Sequence, residues 1–396
     1  MLEKTINKFI EEFNKYMPEK IYVQFPDKKM GDGKLGVILK DYKTAKRILI
    51  NPEMGFAEEY VNGNININGS LEELLIGGLT YVNLMDKEKK QIDFTKLFFN
   101  FLGMLKKIEE KEVQYHYDLG NDFYKSWLDK SMTYSCAFFT KKDMSLEEAQ
   151  EEKRNIIYEK LRLKNAKNFL DIGCGWGSVI INAAKKYNIP CIGITLSKNQ
   201  YEYVKEKIKE ENLNNLVEVY LMHYENLPKL NKKFDRIVSI GMFEHVGKER
   251  YKKFFSVVNN ILEKKGLFLL HTIGKQHPAP TSKWIRKYIF PGGHLPCVSE
   301  IFDSSKESDL YFMDMDDWRL HYYKTLIEWR NKFHNIKDTV INKFDEKFYR
   351  MWDLYLISSA VSFYIGEQHL YQILYSNGVN NNYPIIKRTF IEESLI

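Results

Sequence analysis

The chain has 396 residues, room for two or three domains of about 150 residues each, and its 44% hydrophobic content supplies large cores. A net charge of +6, from 59 basic and 53 acidic residues, is mild and spread out; it argues against nucleic acid and suits an anionic membrane surface. The cysteines Cys136, Cys174, Cys191 and Cys297 form no C-x-x-C pair, which speaks against zinc or any other metal and fits a reducing cytoplasm, and no apolar run approaches the ~18 residues that span a bilayer.

The N-terminus carries Leu2, Ile6, Phe9, Ile10 and Phe13 at helical spacing among Glu3, Lys4, Glu11 and Glu12, an amphipathic helix rather than a signal peptide. Strand-like runs follow at 21–25, 35–39 and 47–51, and 60–69 alternates around turn residues like a hairpin or loop pair. Ser70-Leu71-Glu72-Glu73 is a capping box that opens a helix to about residue 84. This small α+β unit shows no cluster of acids, bases or nucleophiles, so it reads as a structural or binding module. The stretch 96–107 is nearly all apolar between lysines, and reads equally as an interfacial helix with snorkelling lysines or as a segment buried between domains. Residues 106–112 are charged and read as a linker, giving an N-terminal domain over 1–105 and a second domain over 113–396.

A second capping box, Ser145-Leu146-Glu147-Glu148, starts a helix to about 161. Predicted strands at 168–172, 191–194, 217–221, 235–240 and 266–273 then alternate with helices at 179–187, 198–212, 248–262 and 338–363. Such alternation predicts an α/β fold: a doubly wound, mostly parallel sheet with ligands beyond the carboxyl ends of its strands. Residues 278–308 are poorly patterned and carry Gly292 and Gly293, as a lid or substrate-facing insertion would. Lys283 to Tyr288 mixes basic and aromatic residues, and is read either as a membrane-facing surface or as an ordinary solvated helix face.

The chemistry begins at Asp171-Ile172-Gly173-Cys174-Gly175-Trp176-Gly177, an apolar strand ending in three alternate glycines before a helix. A dinucleotide fingerprint places an acid about 20 residues after its glycines. Here the acid precedes them, and the next strand ends in Thr195. The pattern resembles motif I of S-adenosylmethionine-dependent methyltransferases of the Rossmann-like class I fold.

Further segments make the resemblance narrower: Tyr117 to Tyr124, Tyr134-Ser135-Cys136, Ser239 to Gly247, Leu269 to Gly274, Tyr288 to Pro296 and His321 to Leu326. Together, over about 113–375, they resemble the cyclopropane-fatty-acyl-phospholipid synthases and the related mycolic acid cyclopropane synthases. The resemblance implies addition of a methylene carbon from S-adenosylmethionine across a cis double bond of an unsaturated phospholipid acyl chain, with a bound bicarbonate as proton acceptor. It places the bicarbonate ligands at Cys136, Glu244, His271, Ile273 and Tyr322, with Cys136 and Ile273 acting mainly through backbone groups. It places the donor against Tyr134, Ser135, Asp171, Gly173, Gly175, Gly177, Thr195, Gln200, His223 and Tyr224. It also implies a homodimer that works as a peripheral protein on the inner face of the membrane. Three positions depart from the family pattern: His223 replaces an acid, Ser359 replaces a cysteine, and Tyr364 follows Phe363 where relatives carry an arginine. The alternative is a methyltransferase acting on another lipid or small molecule, for which the Glu244, His271 and Tyr322 set has no use.

Overall fold

The computed structural model describes residues 2–87, 119–278, 282–289 and 293–383; the stretches expected as an interfacial segment and a charged linker lie outside them. Two units make up the chain. The first is built on strands β1 (Ile21–Gln24), β2 (Lys29–Met30), β3 (Leu35–Leu39) and β4 (Ile65–Asn68), in the order β2-β1-β3-β4. The helix Leu2–Phe13 buries Ile6, Ile10 and Phe13, the stripe that its spacing predicts.

Residues 47–51, expected as a strand, instead close the helix Tyr42–Ile50. Asp41 starts that helix by accepting from the Thr44 N–H at 2.8 Å, and Asn51 caps the next helix, Pro52–Val61. Each cap is worth about 1 kcal/mol, enough to outweigh the strand preference of an apolar run three residues long, Ile48 to Ile50. The expected hairpin at 60–69 is a helix end followed by the single strand β4.

The first unit also takes back 282–289 and 333–365, which differs from the single boundary expected between 105 and 113. The helix Glu346–Tyr364 is buried at every position from Trp352 to Ile357 and packs on the helices Pro52–Val61 and Leu71–Lys87. A helix buried all round in this way, polar only at Asp353 within the run, needs cover on all sides. Polar contacts fix its register: Arg350 Nε donates to the Tyr60 carbonyl at 2.6 Å, and Tyr60 Oη donates to Asp353 at 3.2 Å. The single helix expected at 338–363 is broken in two, because Asp345 caps the second part by accepting from the Phe348 N–H. The helix Lys283–Tyr288 belongs here too. Trp284 is buried, and Lys287 and Tyr288 both bond Glu58, so this segment faces protein rather than presenting its rings outward.

The second unit holds seven strands: β5 (Phe169–Ile172), β6 (Cys191–Thr195), β7 (Val217–Leu221), β8 (Phe234–Ile240), β9 (Leu262–Gly274), β10 (Leu310–Asp317) and β11 (His369–Asn377). Their order is β10-β11-β9-β8-β5-β6-β7, with β11 antiparallel to both neighbours and β9 through β7 parallel. The five parallel strands stand where the sequence predicts them; β10 and β11 are additional.

β5 is buried at all four positions, as a central strand of a covered parallel sheet must be. Leu170 and Ile172 join Phe254, Phe255 and Val258 of the helix Tyr251–Ile261. Phe169 joins Ile180 and Ala183 of the helix Ser178–Tyr187, and Ile157 of the helix Leu146–Lys160. The period of two therefore gives Asp171 the face of Phe169, toward the helix Leu146–Lys160. The chain runs outward from β5 through β6 to β7 and then crosses back to place β8 on the other side of β5, which makes the carboxyl end of β5 the switch point of the sheet.

Candidate active site

A cavity of about 410 Å³ opens at that switch point. Tyr134, Ser135, Asp171, Gly173, Gly175, Thr195, Gln200, His223 and Tyr224 all line it. Of the residues expected around the donor, Gly177 alone is outside the lining; it precedes the helix Ser178–Tyr187 with φ +82°. A Cβ on Gly173, at φ +90°, would lie 2.8 Å from the Met242 side chain, so both dihedral and space demand glycine. At Gly175, φ +55°, a Cβ would meet nothing within 4 Å. There the missing side chain leaves bare backbone facing the cavity.

Asp171 is 2% exposed, and its Oδ1 has no hydrogen-bond partner among the described residues. Burial pushes its carboxyl up to about 7, against the opposing pull of Lys153. Lys153 is itself fully buried, and burial pushes its ammonium down to about 7. Its Nζ donates to Ser135 Oγ at 2.7 Å, and Gln150 Nε2 donates to the Ser135 carbonyl at 2.8 Å. Lys153 and Gln150 were not anticipated. The available signal was polar residues at 150, 153 and 160 inside the buried stripe of an amphipathic helix that also holds Leu146 and Ile157.

The other cavity walls are fixed by short-range bonds. Thr195 Oγ1 donates to Gln200 Oε1 at 2.7 Å and accepts from the Ser197 N–H at 3.1 Å. The Gln200 NH₂ is then the donor end of that pair. His223 Nδ1 accepts from the Glu225 N–H at 3.3 Å, which leaves Nε2 as the ring's donor position. The Tyr224 ring packs edge-on to Phe254 at 5.4 Å within the core, which leaves its backbone side to the cavity. His245 also lines the cavity, and burial lowers it to about 4, so it is neutral.

The five residues expected around bicarbonate do not line this cavity. Glu244 stands in the turn after β8, between the cavity-lining Met242 and His245. Its Oε1 accepts from the Ile273 N–H at 2.6 Å, and its buried Oε2 has no partner among the described residues. The Ile273 backbone thus orients Glu244. Burial pushes the Glu244 carboxyl up to about 7, although backbone N–H groups and Thr272 oppose it. His271, 1% exposed, accepts at Nδ1 from Gln372 Nε2 at 3.0 Å, and its Nε2 has no partner among the described residues. Burial drives it well below the usual imidazole range.

Trp318 joins this end to Cys136: its ring meets His271 edge-on at 5.6 Å, and its carbonyl lies 4.0 Å from Cys136 Sγ. Burial pushes the Cys136 thiol far up, so it is not a thiolate nucleophile. Tyr322 contacts the Trp329 ring at 6.1 Å, and Trp329 contacts Tyr134 at 5.0 Å. An aromatic series of Tyr322, Trp329, Tyr134 and Tyr124 therefore runs toward the cavity wall. Ser359 and Tyr364 both belong to the helix Glu346–Tyr364 of the first unit. Among the described residues, no group of three or more His, Cys, Asp or Glu side chains is placed to hold a metal ion.

The cavity fits a ligand with a cationic and a carboxylate end joined to a nucleoside. A buried carboxylate with one oxygen unpartnered among the described residues, bare glycine backbone and a helix N-terminus meet the first part. A Thr–Gln pair and a His–Tyr wall meet the second. With the reversed strand β11 in a parallel sheet, these features define the class of doubly wound S-adenosylmethionine-dependent methyltransferases.

Comparison with known proteins carries this to a family. The family model described as mycolic acid cyclopropane synthetase matches residues 105–373. The cyclopropane-fatty-acyl-phospholipid synthase of Escherichia coli (strain K12) is 36% identical over 365 residues, 90% of this chain and 92% of that protein. The cyclopropane synthase MmaA2 from Mycobacterium tuberculosis superposes with a TM-score of 0.63 at 35% identity, covering 67% of this chain and 96% of that one. Mycolic acid cyclopropane synthase CmaA1, complexed with SAH and CTAB, gives 0.63 at 36%, with the same coverage. The chain belongs to the mycolic acid cyclopropane synthetase family and is an S-adenosylmethionine-dependent methyltransferase.

Proposed function

We propose that this enzyme adds a methylene carbon across a cis double bond in the acyl chain of an unsaturated phospholipid. The donor supplies an electrophilic methyl group on sulfur, and a bound bicarbonate supplies a proton acceptor. The balance is simple: a methyl group joins one alkene carbon, a proton leaves that new methyl, and the freed electron pair closes the ring on the neighbouring cationic carbon. An alkene needs no base to activate it, so the protein's task is to orient, exclude water and receive one proton.

Asp171 takes the donor's ammonium, Gly173 and Gly175 bring backbone close to it, and Tyr134 and Ser135 cover it. Gly177 positions the following helix. Thr195 and Gln200 meet the ribose, and His223 and Tyr224 border the adenine. Glu244, His271 and Tyr322 hold the bicarbonate with the backbones of Cys136 and Ile273. The carrying observation is a complementary pair: buried Glu244 Oε2 asks for a donor, and buried His271 Nε2 offers one. Hydrogen carbonate has both an O–H and acceptor oxygens. The aromatic series from Tyr322 to Tyr134 suits a transient cation.

The protein acts from the membrane surface as a homodimer, on the inner face. No described helix is long and apolar enough to cross a membrane. Lys43, Lys46 and Ile50 lie exposed on one face of the helix Tyr42–Ile50, a fitting surface for anionic lipid. Expression in a host without the activity, followed by mass analysis of its fatty methyl esters, tests the proposal. Unsaturated chains should be replaced by chains one CH₂ heavier that resist hydrogenation. Unchanged chains would refute it, and methyl-branched chains would move the reading to fatty acid methylation.

A further inference from the structure

Three strands place three polar residues in one row across the sheet. In the β10–β11 register Asp316 stands opposite Gln372, and in the β11–β9 register Gln372 stands opposite His271. Directly opposed residues share a face and touch. Lys160, the last residue of the helix Leu146–Lys160, lies against that row. Its Nζ is bonded to Asp316 and donates to Gln372 Oε1 at 2.9 Å. Lys160, Gln372 and His271 are all buried, with Gln372 at 0% exposure.

The bonds have only one consistent direction. An ammonium has donors and no acceptor, so the Gln372 amide must turn its oxygen to Lys160. Its NH₂ then points at His271 Nδ1, at 3.0 Å. A nitrogen that accepts a hydrogen bond carries no proton. Burial keeps the ring neutral, so its single proton resides on Nε2.

We propose that Lys160 and Gln372, anchored by Asp316, are positioning residues that lock His271 in the Nε2–H tautomer. The lock makes His271 a donor only, and so selects a ligand that presents an acceptor to it. Glu244, held on Ile273 two residues further along the same strand face, selects the opposite. A small oxyanion with one O–H would satisfy both, through an acceptor oxygen to His271 Nε2 and its O–H to Glu244 Oε2. The assignment of that ligand rests on the function proposed above; the tautomer does not.

The test uses full-length protein with ¹⁵N-labelled histidine rings, in which the His271 signal is assigned by its loss in His271→Gln. Native His271 should show a protonated Nε2 and a bare Nδ1. In Gln372→Glu a carboxylate replaces the donor, and the proton should move to Nδ1. In Lys160→Met the amide is free to turn, and the two tautomers should mix. Both variants should keep S-adenosylmethionine affinity within about twofold by calorimetry, which shows that they fold. Their turnover should fall on the order of 10- to 100-fold, the scale seen when the outer partner of a ligating histidine is lost. A native Nδ1–H ring, or an unchanged tautomer in Gln372→Glu, overturns the proposal whatever the activity. Loss of turnover in an otherwise expected series, with no bicarbonate dependence of the native rate, would instead count against the ligand assignment.

Discussion

The two ends of the site are built from different materials. At the carboxyl end of β5 the cavity is shaped by backbone: glycines at positive φ, a helix start, and one buried acid. At the ends of β8 and β9 the proposed chemistry rests on side chains, Glu244 and His271, each with one atom engaged and one unpartnered among the described residues. Backbone binding is insensitive to pH and sensitive to sterics. Side-chain binding is the reverse. Apart from Asp171, the donor end should therefore break by volume and the other end by protonation, which separates binding from turnover.

The largest effect is expected at Glu244. Glu244→Gln removes the carboxylate proposed to accept the bicarbonate O–H but keeps its shape, and should lower turnover by about 10²- to 10⁴-fold. Donor affinity, measured by calorimetry, should stay within about twofold; a parallel loss of affinity would join the two ends and dissolve the contrast.

Gly175→Ala attacks the other end. Its Cβ meets no protein atom within 4 Å but enters the cavity. A left-handed alanine costs about 1–2 kcal/mol, so the protein should remain folded in thermal denaturation. Donor affinity should fall at least about tenfold, or 1.4 kcal/mol, and the rate at saturating donor should fall less.

The pH profile sharpens the same division. Burial raises Glu244 to about 7. An acid raised in the folded state stabilises the fold below its unfolded value, and that contribution is lost as pH rises through about 7. Accepting the O–H of the proposed bicarbonate needs the ionised form of Glu244, so kcat should rise with pH up to about 7, tenfold per unit on the acid limb. Glu244→Gln should flatten that limb in a rate profile taken at saturating donor.

The smallest effect concerns Lys153. It is a buried ammonium near Asp171, and burial lowers it to about 7. A base lowered in the folded state loses its stabilising contribution as pH falls through that value. Lys153→Met replaces a buried charge by an apolar side chain of similar length, a change often neutral or stabilising. Thermal midpoints at pH 7 should hold or rise. Donor affinity should drop severalfold, because Asp171 loses the cation that favours its ionised form. A fall in the midpoint with unchanged affinity would make Lys153 a purely structural residue.

Legibility in the sequence followed distance along the chain. The helix Leu2–Phe13, the capping boxes at Ser70 and Ser145, and the five parallel strands are written in local periodicity. Local signals also misled: residues 47–51 look like a strand until Asp41 and Asn51 cap the helices on either side. The segments 282–289 and 333–365 join the first unit through contacts such as Tyr60 with Asp353, 293 positions apart, which no window of sequence displays.

The same rule separates what each level decided about the site. The sequence by itself determined the glycine turn after β5, because Gly173, Gly175 and Gly177 act through local backbone whose positive dihedrals depend on those residues. It also named Glu244 and His271, through a resemblance of whole segments. Only the tertiary structure decided which proton His271 carries. That depends on the register of β11 against β9 and β10, and on where Lys160, 111 positions earlier in the chain than His271, comes to rest. Hydrogen bonds reach about 3 Å, and only folding brings Lys160, Gln372 and His271 within that range.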